Sequence, residues 1–178
     1  MGRWAVAGVF GTVLALAGSV ATPAPAEAAT LSGHLKNAKT GRCLDSNFAG
    51  EVYTLPCQHG NDHQIWEISD DLPSEYRTAE DGHGRFRFRN RATGRCLWVV
   101  AAAGGSNGAL GTASCVDMIP QYTTFIDGVG NGFSNVYLRG QHALTGGRPF
   151  CVGGSYSQAY AQSCNYSNPY QRWSRVRV

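Results

Sequence analysis

Charge is scarce in this sequence: Asp, Glu, Lys and Arg make up 15% of its 178 residues and leave a formal net charge of +3. So small an excess does not by itself hold a polyanion, and nothing in the composition calls for nucleic acid. Helical periodicity is missing as well. No segment beyond the N-terminal region repeats apolar side chains at three- and four-residue intervals for long, which excludes a helical bundle. Nor does any apolar run reach the ~20 residues that span a bilayer. The five histidines do not assemble a metal set. His59 and His63 with Asp62 come nearest, but they lack a third His or a Cys partner, and a polar turn is the simpler reading. No cofactor is implied.

What is present is turn chemistry and cysteine. The 23 glycines and 43% hydrophobic residues describe one folded, turn-rich domain and not a disordered chain. Arg3, the apolar run from Ala5 to Val20 and the Pro/Ala-rich stretch 21–29 follow the order of a secretory signal peptide. Small residues flank Glu27 in Ala26-Glu27-Ala28, so residues 1–28 are expected to be removed and 29–178 to form the domain. In an exported chain six cysteines, at 43, 57, 96, 115, 151 and 164, point to disulfides, though six allow 15 pairings.

The sequence repeats itself. Thr40-Gly41-Arg42-Cys43-Leu44 returns as Thr93-Gly94-Arg95-Cys96-Leu97, and loosely as Gly147-Arg148-Pro149-Phe150-Cys151-Val152, so the leading cysteines lie 53 (96 − 43) and then 55 (151 − 96) residues apart. Gln64-Ile65-Trp66 and Gln171-Arg172-Trp173 both begin seven residues after the second cysteine of their unit. In the middle unit Gln121-Tyr122-Thr123 begins six residues after Cys115, with Phe125 in place of the tryptophan. Within each unit the apolar runs are short and broken by Gly, Asn, Asp and Pro, as in Val52-Tyr53-Thr54-Leu55, Arg85 to Arg89 and Val136-Tyr137-Leu138. The expectation is an all-β domain of three repeats, about 31–80, 81–130 and 131–178, each long enough for four strands.

Three units, each with a cysteine pair and the first and third with a Gln-x-Trp ending, resemble the ricin B-type lectin family, whose fold is the β-trefoil. The resemblance covers about Leu31 to Val178. The first unit, with Leu-Asp-Ser-Asn-Phe-Ala-Gly-Glu-Val-Tyr-Thr-Leu-Pro from Leu44 to Pro56, is similar to the repeats of actinohivin-type lectins, which bind high-mannose glycans. The resemblance implies a secreted, extracellular carbohydrate-binding protein whose partners are glycans. It also implies that Trp66, Phe125 and Trp173 form core near the threefold axis, and that Gln64 and Gln171 serve backbone groups beside it. Read with that fold, the repeat register favours disulfides within units: Cys43 with Cys57, Cys96 with Cys115, Cys151 with Cys164.

The candidate site follows from the same resemblance. Asp45 stands where these lectins place the carboxylate that accepts two neighbouring sugar hydroxyls, a match of two charged acceptor oxygens to a vicinal diol; otherwise Asp45-Ser46-Asn47 opens a turn before Gly50. Tyr53 and Leu55 share one strand face by the period of two and would line the pocket, or else pack as half-buried strand residues. Asn47, Gln58 and His63 complete the candidate set, Gln58 and His63 standing where the actinohivin-type pattern has Asn and Tyr. Trp98 and Gly153 hold the positions equivalent to Asp45, so one intact site and two vestigial ones are expected.

Other constellations carry less. Asp70, Asp71, Glu75, Glu80 and Asp81 could supply a hydrolytic carboxylate pair, but they lie on a connector between units, which is ordinarily solvated, and no enzyme activity is expected. Arg85, Arg87, Arg89, Arg91 and Arg95 alternate with Phe86 and Phe88, giving a strand with one apolar and one cationic face. A different class of function, protease inhibition through a loop such as Asp70 to Gly84, rests on analogy of fold alone.

Overall fold

The computed structural model describes residues 31–70, 85–101, 107–116, 124–127, 133–140 and 149–178, with backbone alone for 100, 101 and 124–127. The expected signal segment, most of the acidic connector, the loop suggested for protease inhibition and Gln121 to Thr123 lie outside these residues.

Among the described residues twelve strands group in fours. The first unit holds β1 (Leu31–Asn37), β2 (Cys43–Ser46), β3 (Val52–Leu55) and β4 (Ile65–Ser69). The second holds β5 (Arg85–Asn90), β6 (Cys96–Ala101), β7 (Asn107–Ala113) and β8 (Thr124–Asp127), and the third β9 (Val136–Gly140), β10 (Phe150–Gly154), β11 (Ala159–Ser163) and β12 (Arg172–Val176). The outer strands of the units pair antiparallel in the cycle β1–β4–β5–β8–β9–β12 and back to β1. That cycle is a closed six-stranded barrel, so its strands present no free edge. The inner strands form the hairpins β2–β3, β6–β7 and β10–β11, one per unit. This is a β-trefoil with three internal repeats.

The repeated Thr-Gly-Arg-Cys segment is a turn that carries the chain from barrel to hairpin. Asn37 Oδ1 accepts from the Lys39 and Thr40 amides at 3.1 Å each, and Asn90 Oδ1 accepts from the Thr93 amide at 3.1 Å. The next residue must turn left-handed, and Gly41 (φ 69°) and Gly94 (φ 67°) do so without the Cβ penalty. The repeat thus extends three residues further toward the N-terminus than Thr40: Asn-x-x-Thr-Gly-Arg-Cys occurs at 37–43 and 90–96.

Leu35, Leu44, Trp66, Ile68, Phe88, Leu97, Val99, Leu138, Val152 and Trp173 fill the core. The two tryptophans are equivalent: Trp66 Nε1 donates to the Leu44 carbonyl at 3.0 Å and Trp173 Nε1 to that of Val152 at 2.8 Å. Each therefore buries its ring while satisfying its one donor. Phe125 occupies the second position of β8, as Trp66 and Trp173 do in β4 and β12, and its side chain is not among those described. Disulfides join Cys43 to Cys57, Cys96 to Cys115 and Cys151 to Cys164, each within one unit. Closing loops of this length stabilises by about 3 kcal/mol apiece in the chain-entropy account.

The expected alternation along β5 holds only in part. Phe88 is core and Phe86 packs against it, but Arg85, expected on the cationic face, is buried at 7% exposure. Arg85 stands at the start of β5, where it pairs with Phe125 of β8, so barrel closure covers a position that a free strand would expose.

His34, opposite Val176 and Ile65 in the barrel, gives the fold a pH dependence. It is 6% exposed, and its Nδ1 has no hydrogen-bond partner among the described residues. Burial, and then the neighbouring His59, hold its pKa below the ordinary 6.5. A histidine depressed in the folded state binds its proton more readily when unfolded, so its stabilising contribution is present above pH 6.5 and is lost as pH falls below that value. Denaturant midpoints measured between pH 7 and 5 are expected to fall, and to fall less for His34→Gln.

Candidate functional site

The β2–β3 hairpin sorts its side chains by the pleat. Asp45 faces Tyr53 and Cys43 faces Leu55 across the ladder, while Leu44 faces Thr54 and Ser46 faces Val52. The second set points into the molecule: Leu44 is core, Thr54 Oγ1 donates to the Ser155 carbonyl at 2.6 Å, and the Ser46 and Thr112 hydroxyls lie 3.2 Å apart. Those bonds tie the first hairpin to the other two. The first set, Asp45, Tyr53 and Leu55, is left on the opposite face.

His63 stands on a 3-10 turn, Asp62–Gln64, capped by the Asn61 side chain. Its Nδ1 lies 2.6 Å from the Ser46 carbonyl. A carbonyl only accepts, so Nδ1 carries the proton and a neutral ring offers Nε2 as acceptor. Gln64 holds the other border: its Oε1 accepts from the Gln58 amide at 2.8 Å and its Nε2 donates to the Pro56 carbonyl at 3.1 Å. Gln171 repeats this with Asn165 at 2.7 Å and Ser163 at 3.2 Å. Both glutamines are buried, where an unpaired amide would cost roughly 1 to 3 kcal/mol.

Two candidates have other partners. The Asn47 amide closes the hairpin turn, donating to Glu51 Oε2 at 2.6 Å and accepting from the Glu51 amide at 3.1 Å. Gln58 is exposed and its Oε1 accepts from Asn61 at 3.1 Å. Asp45, Tyr53 and Leu55 therefore share a face, His63 is held next to it on the Ser46 carbonyl, and Asn47 and Gln58 shape the loops around them. Asp45 itself is only 2% exposed. Burial, and next the Asp45 carboxylate beside its hydroxyl, push the Tyr53 phenol above the ordinary 10. The carboxylate is capped by the residue opposite it.

The same register position differs in the other units. Trp98 faces Gly111, and Gly153 faces Tyr160. A Cβ on Gly111 would lie 2.7 Å from Trp98 Cζ2, and one on Gly153 would lie 2.2 Å from Tyr160 Cζ. Each hairpin thus has room for one aromatic at this pair, lying against a glycine in the second and third units and against a carboxylate in the first. The sequence shows the loss of Asp at 98 and 153. That rings cover the facing glycines is visible only once the strand register is known. Burial raises the Tyr160 phenol, partly offset by a hydrogen bond with the Asn168 side chain.

Elsewhere, a cleft of about 580 Å³ lies between β4, β5 and the 93–95 turn, lined by Glu67, Ser69, Arg87, Arg89, Arg95 and Val116 among others. Its charges are largely engaged. Glu67 lies 3.6 Å from Arg89 and 3.8 Å from Arg91, and Arg95 donates to the Thr112 carbonyl at 2.8 Å. Among the described residues no three His, Cys, Asp or Glu side chains group as metal ligands, and no helix is long and apolar enough to cross a membrane.

The family model of the ricin-type beta-trefoil lectin domain-like proteins matches residues 26–113. Among solved structures the chain is similar to a designed threefold symmetric protein, ThreeFoil, at 18% identity over 83% of this chain and 99% of that one, with a TM-score of 0.59. It is similar also to the agglutinin of Rhizoctonia solani, at 17% identity over 88% and 100% with a TM-score of 0.53. A Caenorhabditis elegans protein of unknown function gives 12% identity over 86% and 99%, with a TM-score of 0.58. At these identities the structures speak for the fold, a threefold β-trefoil with one hairpin per unit. The sequence match adds a likeness of family: residues 26–113, which span the first unit and most of the second, resemble the ricin-type β-trefoil lectin-like proteins.

Proposed function

We propose that this protein is a secreted lectin that binds mannose-type glycans through one site, on the first hairpin, with Asp45 as acceptor of a sugar diol. The observation that carries the reading is the cross-strand pair Asp45–Tyr53, a carboxylate beside a phenol where the two equivalent pairs are Trp98–Gly111 and Gly153–Tyr160. A carboxylate accepts two hydroxyls; an indole face or a glycine accepts none. Tyr53 and Leu55 supply apolar surface for the sugar C–H groups, and His63 Nε2 a further acceptor at the border.

The 2% exposure of Asp45 adds a step. The incoming diol replaces or shares the Tyr53 hydroxyl, exchanging one hydrogen bond to the carboxylate for two. Preference for mannose is supported by the actinohivin-like run from Leu44 to Pro56, and secretion by residues 1–28 together with the three disulfides. The Rhizoctonia solani neighbour, of the same fold, is an agglutinin. A glycan array probed with the 29–178 domain is expected to light up on oligomannose and to stay dark on galactose-terminated chains. Signal confined to galactosides, or none above background, would refute the assignment.

A further inference from the structure

We infer that Phe48 and His63 form a second subsite beside Asp45, on which the next ring of an oligosaccharide stacks its apolar face. The inference rests on the carbohydrate-binding reading above and extends it from a single sugar to a chain of at least two. Phe48 sits at the tip of the first hairpin and is 69% exposed, although a turn residue there has no structural need of a large apolar ring. Its position is nonetheless fixed. The Asn47 backbone amide donates to the Glu51 carbonyl at 3.3 Å, the Gly50 amide to the Asn47 carbonyl at 3.1 Å, and the Thr112 amide of the second hairpin to the Gly50 carbonyl at 2.9 Å. Gly50, at φ 91°, takes the left-handed conformation the turn needs.

The Phe48 ring stands edge-on to His63, with centroids 5.4 Å apart and planes at 87°, and His63 is itself held by Ser46. An exposed ring braced on a hydrogen-bonded imidazole loses little freedom when a ligand covers it, which is the condition under which an aromatic face contributes most to binding. Its ligand must have an apolar face and be anchored nearby. Ser46 follows Asp45 directly and carries the carbonyl that holds His63, so the pair lies next to the residue that anchors the first sugar. The third hairpin supplies an internal comparison. Its turn exposes Tyr156 to 63%, but Gly153 leaves that ring no anchored sugar to extend.

The test is titration of the 29–178 domain with methyl α-mannoside and with an α-linked mannotriose. The wild type is expected to bind the trisaccharide about tenfold more tightly, equivalent to 1.4 kcal/mol. Phe48→Ala should bring the ratio close to one, Phe48→Tyr should retain it, and Tyr156→Ala should retain it. An unaltered ratio in Phe48→Ala, or equal affinities in the wild type, overturns the subsite while leaving the Asp45 site standing. Failure of both sugars to bind, or binding of both undiminished in Asp45→Asn, overturns the site on which the subsite depends.

Discussion

Trp173→Ala is expected to destabilise the protein by about 3 to 5 kcal/mol, a large fraction of the total stability of a domain this size. The ring has 0% exposure, belongs to the core cluster, and its indole nitrogen bonds the Val152 carbonyl. Truncation empties the space next to Gly154, where Trp173 Cη2 lies only 2.7 Å from where a Cβ would stand, and strands a buried carbonyl. The melting temperature should fall on the order of 10 °C. Trp98→Ala is the matching control, since its half-buried ring covers Gly111 on a hairpin face and its loss should cost on the order of 1 kcal/mol. Equal destabilisation by the two, or a well-folded Trp173→Ala that has lost only sugar binding, would mean that the third-unit tryptophan is not core.

Much of this architecture is legible from the chain because it is written more than once. Two copies of Thr-Gly-Arg-Cys set the register, the register favours the cysteine pairs, and the Gln-x-Trp endings mark where the first and third units return to the barrel. Asn37 and Asn90 recur at the same spacing, but an asparagine in a loop carries no weight until its side chain is seen closing the turn. The site is less legible for a physical reason: a strand's period of two says which residues share a face, not what lies opposite them. That Tyr53 caps Asp45, and that Trp98 and Tyr160 lie on glycines, depends on cross-strand register. That Asn47 serves Glu51 depends on the turn geometry, and that Arg85 is buried depends on β8 closing over it.

Asp45→Asn should lower glycan affinity by at least tenfold with little change in stability. The substitution keeps the volume beside Tyr53 and removes one acceptor oxygen and the charge, and hydrogen bonds to charged groups are worth roughly 1.5 to 3 kcal/mol each. A shallow site near millimolar has only about 4 kcal/mol of binding free energy, so this loss takes it out of the measurable range. Introducing the acid elsewhere should not compensate: Gly153→Asp sets a carboxylate where Tyr160 already lies. With one site per chain, the gain of ~100-fold or more that linked sites confer is out of reach for a monomer.

Whether one hairpin out of three is functional is read from the stoichiometry of calorimetric titration of the monomeric domain with a soluble oligomannose. One site per chain is expected, vanishing in Asp45→Asn while the melting temperature holds. Three equivalent sites, or a single site that survives that substitution, would contradict it.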